Sequence, residues 1–375
     1  MAFTYFFIKV KVLIDLARSV TTPGPGPERW SNVPARLGWF LKDVLGQSSV
    51  RRKVLPGIAH TMIFWGFLVI TIGTLEMMVD GVFHGVNLSV FGMQIWSGYQ
   101  FVAEIMIMGV LLGVGFGFFR RLVLRPHYLH SGPEAYAILT LTAGLMVALL
   151  LMNAFHVGGN AGVAHAFPVS SLLANLFFGG GLSPTTSFVG MEVFYWAHLL
   201  LVLGFLAYVP NSKHLHILAA APNVFLKHLG TPKAMETTNL EDENATSFGL
   251  SKVSELNWKK TLDLYACTEC GRCEEVCPAS ITGKPLSPYK VIHDMKIELL
   301  RQKDLVLAKK PDEIPHVVRE ESGITEDVMW ACTSCRACEE ACPVYIEQTN
   351  IIFETRKSLV LMEARFPPEL QAVFR

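Results

Sequence analysis

The sequence predicts an all-α protein in two parts: a multi-pass bundle of transmembrane helices, then a smaller helical domain that carries every cysteine. Three observations lead there. Residues 54–209 hold four long apolar stretches with few charges. Lysine and arginine cluster only at alternate ends of those stretches. All eight cysteines fall between Cys267 and Cys342, in two copies of one run. The chain has 375 residues, room for two or three domains, and is 51% hydrophobic and 17% charged. Its formal net charge is zero, so nothing suggests a nucleic-acid partner.

Residues 1–53 come first. Met1–Val20 carries apolar residues, but Lys9, Lys11, Asp15 and Arg18 interrupt it and no small-residue cleavage site follows, so it does not read as a cleavable signal. It reads as the inner end of a further span or as an interfacial helix, stopped by the Pro/Gly-rich run Thr22–Pro27. A membrane domain is expected over 54–218. Its apolar stretches are Val54–Leu75, Ile105–Phe119, Tyr136–Phe155 and Val193–Val209. A bilayer core takes about 20 apolar helical residues, so each stretch with its flanks can span. Arg51, Arg52 and Lys53 precede the first, Arg120, Arg121 and Arg125 follow the second, and Lys213 follows the fourth. The positive-inside rule then puts the loops holding Asp80–Gly98 and Val157–Val189 outside and everything after Pro210 in the cytoplasm. The outer loop has room for a short surface helix at Pro168–Phe178.

A cytoplasmic linker is expected over 219–260 and a cysteine domain over 261–375. Cys267, Cys270, Cys273 and Cys277-Pro278 form one run; Cys332, Cys335, Cys338 and Cys342-Pro343 form the other. This C-x2-C-x2-C-x3-C-P spacing ligates a pair of [4Fe–4S] clusters, three cysteines of a run on one cluster and the fourth on the other. One cluster is therefore assigned Cys267, Cys270, Cys273 and Cys342, and the other Cys332, Cys335, Cys338 and Cys277. A disulfide framework does not suit a reducing cytoplasm. Structural zinc favours separated Cys-x-x-Cys pairs. Helix-like segments near Tyr289–Lys303 and Ile314–Glu321 separate the runs, and Asn350–Glu363 reads as a further helix, so an α-helical ferredoxin-type domain is expected.

Histidines inside spans are costly and raise the question of function. His198 and His216 are eighteen residues apart, five turns of a continuous helix, which would put them on one face. His60 lies at about the depth of His216, and His156 lies nearer that of His198. Neutral imidazole is a common axial ligand of haem iron. Two depth-matched pairs would hold two b haems; the alternative is that these histidines only bond to backbone carbonyls. His84, His127, His130 and His165 read as loop residues. Glu76, Asp80, Glu104 and Glu192 gather toward the outer face. They read mainly as headgroup-level residues, with a proton relay for a quinone as the alternative, and only Glu104 lies clearly within a span.

His60–Phe67, Trp196-Ala-His198 and Ser212–Leu218 resemble the cytochrome b family of respiratory nitrate reductase gamma subunits. Leu264–Cys273 and Leu359–Leu370 resemble the membrane-bound heterodisulfide-reductase-like iron–sulfur oxidoreductases, which include electron-transfer-flavoprotein:menaquinone oxidoreductases. The resemblance implies haem ligation by His60, His198 and His216. It also implies a second histidine ten residues after the first, where this chain has Ile70. One b haem, on His60 and His216, is then expected; a second needs a substitute ligand such as His156. The relatives continue into Cys-Cys-Gly repeats, whereas no cysteine follows Cys342 here, so those repeats are expected on another subunit or beyond this sequence.

These readings imply an oxidoreductase subunit in a bacterial or archaeal plasma membrane, with its iron–sulfur domain in the cytoplasm. It would exchange electrons between an electron-transfer flavoprotein, or a Cys-Cys-Gly iron–sulfur subunit, and menaquinone. The alternatives are a relay from quinol to a sulfur substrate on a partner, or a membrane anchor and electron wire without catalysis of its own.

Overall fold

The computed structural model describes the chain except residues 23, 25, 84, 87, 180, 230–237, 242, 244–246 and 374–375. The loop reading of His84, part of the Thr22–Pro27 run and the middle of the expected linker therefore lie outside the described residues. The fold is all-α. No named strand occurs among the described residues, and one isolated antiparallel bridge joins Arg319 to Ile324. The chain divides into two compact units. One comprises residues 1–3, 50–126 and 131–208, and the other residues 4–49, 127–130 and 209–375.

The first unit contains α3 (Val54–Val82), α4 (Met93–Phe119), α5 (Pro133–Gly159), α6 (Pro168–Phe178) and α7 (Pro184–Tyr208). The preceding helices, α1 (Ala2–Ser19) and α2 (Val33–Phe40), belong almost wholly to the second unit. Among the described residues, four helical stretches are long and apolar enough to cross a membrane: Val54–Val82, Met93–Leu124, Pro133–Gly159 and Pro184–Asn211, with mean hydropathies of 1.8 to 2.2. The second and fourth begin well before the expected Ile105 and Val193, so Glu104 and Glu192 sit inside helices. Leu112, Phe188, Trp196 and Leu200 stay more than half exposed around this bundle, as lipid-facing side chains do. Its centre is Ile70, Ile107, Val110, Val114, Leu145 and Leu149. Gly113 lets α4 approach α3 closely, because a Cβ there would stand 2.7 Å from the Ala59 carbonyl oxygen. Helix α6 forms at the expected residues. It does not lie loosely on the surface: Ser170 and Ala174 are buried against its neighbours.

The second unit adds α8 (His216–Phe225), α9 (Trp258–Ala266), α10 (Arg272–Glu275), α11 (Pro278–Ile281), α12 (Pro288–Arg301), α13 (Lys303–Leu307), α14 (Glu326–Trp330), α15 (Ala337–Ala341) and α16 (Gln348–Leu361). Leu256, Leu264, Ile292, Met295, Leu299, Ile324 and Ile351 build its core, and Leu13 and Leu16 of α1 join it. Thr21 N–H also donates to the Ser254 carbonyl at 2.8 Å. The stretch from Thr4 onward is thus a packed part of the cysteine-bearing unit. The expected helix at Ile314–Glu321 does not form. Pro315 lacks a donor, and Val317 N–H instead reaches the Ser251 carbonyl at 2.7 Å.

The expectation that His198 and His216 share one helix face is also corrected. Helix α7 ends at Tyr208, a 3-10 turn covers Val209–Asn211, and Ser212 is extended at φ −130° and ψ 174°. Pro210 cannot donate to the helix and disfavours α geometry before it, so the five-turn periodicity is lost.

Candidate functional site

The two cysteine runs fold alike. Cys267-Thr-Glu-Cys-Gly-Arg-Cys-Glu-Glu-Val-Cys-Pro and Cys332-Thr-Ser-Cys-Arg-Ala-Cys-Glu-Glu-Ala-Cys-Pro each form a curled loop that enters a short helix, α10 or α15. Matching residues take left-handed backbone: Glu269 (φ 53°) and Gly271 (φ 74°) in the first, Ser334 (φ 64°) and Arg336 (φ 60°) in the second. Left-handed residues alternating with ordinary ones turn successive N–H groups inward, the concave arrangement found around iron–sulfur sites. Ser334 N–H points at Cys332 Sγ at 3.5 Å, and Ile346 N–H at Cys342 Sγ at 3.3 Å.

The fourth cysteine of each run lies near the other run. Cys267, Cys270 and Cys273 line one cavity with Cys342 of the other run, enclosed by Tyr289, Ile292 and Val344. Cys277 in turn lies within electrostatic reach of Cys332. Burial lifts the Cys267 and Cys338 thiols to about 12 and raises Cys273, Cys332 and Cys342 as well. Buried thiols around a common cavity are soft donors that become thiolates when a cationic centre displaces their protons. Among the described residues, no three His, Cys, Asp or Glu side chains converge at the spacing of one metal ion. Cysteines arranged around a cavity suit a cluster with its own inorganic core.

The two loops differ in their surroundings. At Gly271 a Cβ would lie 1.9 Å from the Tyr128 carbonyl oxygen, so the 127–130 segment covers the first loop directly. His130 stacks on Tyr289 at 4.5 Å and contacts Glu274 Oε2 at 3.2 Å. Lys296 is 7% exposed, and its Nζ stands 3.2 Å from Glu269 Oε1, between Cys267 and Cys270. In the second loop Thr333, Ser334 and Cys335 are exposed. Arg356 steadies it by donating to the Met329 and Cys332 carbonyls at 2.8 and 2.6 Å. Motif spacing alone did not mark Tyr128, Lys296 or Arg356. The Gly271/Arg336 difference between near-identical runs was the available signal that only one loop is closely covered.

The four candidate histidines have different local surroundings. His198 is 1% exposed; its Nδ1 faces the Leu145 carbonyl at 3.2 Å and its Nε2 faces Thr74 Oγ1 at 3.3 Å. Both ring nitrogens are occupied, as in a buried structural histidine. His156 lies eleven residues beyond Leu145 on α5, about 16 Å along the axis at 1.5 Å per residue. His156, whose ring packs on Phe167 at 5.6 Å, is therefore not a substitute partner for His198 on one iron. His60 is half-buried in the second turn of α3, in the first unit. His216 begins α8 in the second unit, and its Nδ1 bonds to the Lys213 carbonyl at 2.8 Å. Burial lowers its pKa, and Lys296 and Lys213 lower it further against the opposing bond to the Lys213 carbonyl. A neutral ring donating through Nδ1 keeps its Nε2 lone pair.

The acidic residues have structural partners. Glu104 is fully buried and accepts from Val169 N–H at 2.8 Å, Ser170 N–H at 3.0 Å, Asn153 Nδ2 at 3.2 Å and the Ser170 hydroxyl. It is a carboxylate cap on the first turn of α6. Glu76 accepts from Leu88 N–H, Asp80 from Gly85 N–H and Glu192 from Trp196 Nε1.

Fold and site together define a class: an α-helical protein with four membrane-length apolar helices and a paired cysteine centre. Residues 266–346 match the 4Fe-4S dicluster domain family, so this segment is a dicluster iron–sulfur domain. Over 366 residues the chain is 32% identical to the probable iron–sulfur-binding oxidoreductase FadF of Bacillus subtilis strain 168, covering 90% of this chain and 51% of that protein. It is 29% identical over 366 residues to the EtfAB:quinone oxidoreductase of Syntrophomonas wolfei, covering 90% and 50%. A probable membrane-anchored ferredoxin of Chromohalobacter salexigens is 34% identical over 151 residues, covering 37% and 22%. The chain spans about half the length of the first two relatives. No solved structure matches it.

Proposed function

We propose that this chain is the membrane-anchored electron-relay section of a quinone oxidoreductase. It exchanges electrons between a cytoplasmic partner, an electron-transfer flavoprotein or an iron–sulfur subunit, and the menaquinone pool. The observation that carries the reading is the exchange of fourth cysteines. Because Cys342 joins the Cys267 run and Cys277 lies with the Cys332 run, two centres are held side by side by one fold. Bound there, [4Fe–4S] clusters supply one-electron carriers.

The chain's own residues do the rest. The eight cysteines hold the centres, and Ile292, Val344 and the Tyr128 segment keep water from the first. The exposed Thr333–Cys335 loop gives a soluble partner short access to the second. His216 stands near Lys296 and Glu269, beside the first centre, and so marks the opposite end of the relay. A single b haem is assigned to His60 and His216 on the cytochrome b resemblance. His198 and His156 are left structural.

The test is a combined iron, sulfide and pyridine haemochrome analysis of the detergent-purified chain, followed by reduction with a menaquinol analogue. About eight irons, one b haem and reduction by the quinol are expected. Intact clusters with neither haem nor quinol reduction would leave a cluster-only membrane wire and sink the quinone reading.

A further inference from the structure

Lys296 is a buried cation that the relay reading leaves unused. It projects from α12, between the two cysteine runs in sequence, and ends 3.2 Å from Glu269 Oε1 inside the loop that joins Cys267 to Cys270. Lysine is almost never buried without a partner and a reason. The second run has Ser334 where the first has Glu269, so the acid that fixes this ammonium belongs to one centre alone.

We propose that Lys296, fixed by Glu269, sets the reduction potential of the Cys267/Cys270/Cys273/Cys342 centre and raises it relative to the same centre without the lysine. The inference rests on the relay reading above and adds a tuning residue to it. A cluster on four thiolates is anionic, and reduction adds one more negative charge. A fixed cation in a low-dielectric surrounding therefore favours the reduced form. Glu269 carries the opposite charge 3.2 Å from that ammonium, so removing it should move the midpoint the other way.

The experiment is a potentiometric titration of the full chain in detergent, read by low-temperature electron paramagnetic resonance, on wild type, Lys296→Met, Lys296→Arg and Glu269→Gln. One midpoint should fall in Lys296→Met while the other stays. The oxidised-to-reduced ratio at fixed poise should change three- to tenfold, tenfold being 59 mV for a one-electron couple. Lys296→Arg should restore the midpoint and Glu269→Gln should raise it. Unchanged midpoints in both Lys296→Met and Glu269→Gln, with full iron content, overturn the tuning role and leave the relay reading standing. If Lys296→Met fails to hold iron, Glu269→Gln decides alone: a raised midpoint supports the role and an unmoved one overturns it. Loss of both clusters from wild type itself would instead remove the relay reading.

Discussion

The carbonyl oxygen of Tyr128 occupies the space that a side chain on Gly271 would need, 1.9 Å from the ideal Cβ position. Gly271 also holds φ 74°, a conformation that costs a non-glycine residue roughly 1–2 kcal/mol even without a clash. Gly271→Ala should therefore cost more than that and loosen the cover over the first centre. Iron analysis should show partial loss of one cluster. Arg336→Gly, at the matching place in the second run, should keep both. Equal iron retention in the two variants would contradict the covered-loop arrangement.

Glu104 is tied to α6 by two backbone N–H groups, so its substitution should act on stability rather than turnover. Glu104→Ala leaves those two N–H donors unmatched in a buried place, while the Ser170 hydroxyl keeps the Leu150 carbonyl at 3.1 Å, a loss of about 2–4 kcal/mol. Thermal unfolding in detergent should show it. Glu104→Gln keeps one acceptor and should lower Tm less, with quinol turnover of the folded fraction unchanged. A turnover collapse in a Glu104→Gln protein of normal Tm would restore a proton-relay role.

Arg29 grips Glu347 with two parallel bonds of 2.5 and 2.9 Å in a buried setting, with Lys259 at 3.7 Å. Burial pulls the Glu347 carboxyl upward, but Lys259 and Arg29 outweigh it and hold it at about 2, below the ordinary 4.5. A depressed carboxyl contributes stability that is complete above its unfolded pKa and is lost as pH falls through its folded one. Glu347 should thus withdraw stability as pH falls from 4.5 toward 2. Asp263, which burial holds above its usual range, works in the opposite sense and softens that slope. Arg29→Met should flatten the acid limb of a stability-versus-pH curve and cost about 3–5 kcal/mol at pH 7 by leaving Glu347 short of charge.

Cys335 is exposed, whereas Cys267 and Cys273 are buried. Graded ferricyanide treatment should therefore remove one cluster well before the other. After that first loss, thiol alkylation and peptide mapping should label Cys335 ahead of Cys267. Simultaneous loss of both clusters would show that exposure of the Thr333–Cys335 loop does not govern access.

His198 has both nitrogens in protein hydrogen bonds, to Leu145 and Thr74. His198→Gln should leave the haem content of the purified chain unchanged and lower its Tm. His216→Gln should abolish the haemochrome signal. Haem loss in His198→Gln at normal Tm would return His198 to the ligand set.

Much of this molecule is local in sequence. The four apolar helices follow from composition over about 20 residues, and the cysteine runs carry their ligand pattern in their spacing. Helix α6 was legible at Pro168–Phe178 because Pro168 opens it and a glycine at φ 54° closes it. Where a reading extended a local rule across a breaker it failed. The His198–His216 periodicity assumed a helix that stops at Tyr208, and the helix expected at Ile314–Glu321 ignored Pro315.

The sequence by itself determined the all-α class, the membrane-length helices and the two cysteine runs, because hydrophobic length and ligand spacing act over one or two turns of chain. Tertiary structure alone decided that residues 4–49 pack into the cysteine-bearing unit, that Tyr128 closes over Gly271 while Arg336 at the matching place packs toward Asn350 and Glu339, and that Lys296 meets Glu269. It also decided that Glu104 caps α6 and that His198 is satisfied by Leu145 and Thr74. Each of these joins residues far apart in the chain, where a buried charge or polar group must find whichever partner the packed core brings to it.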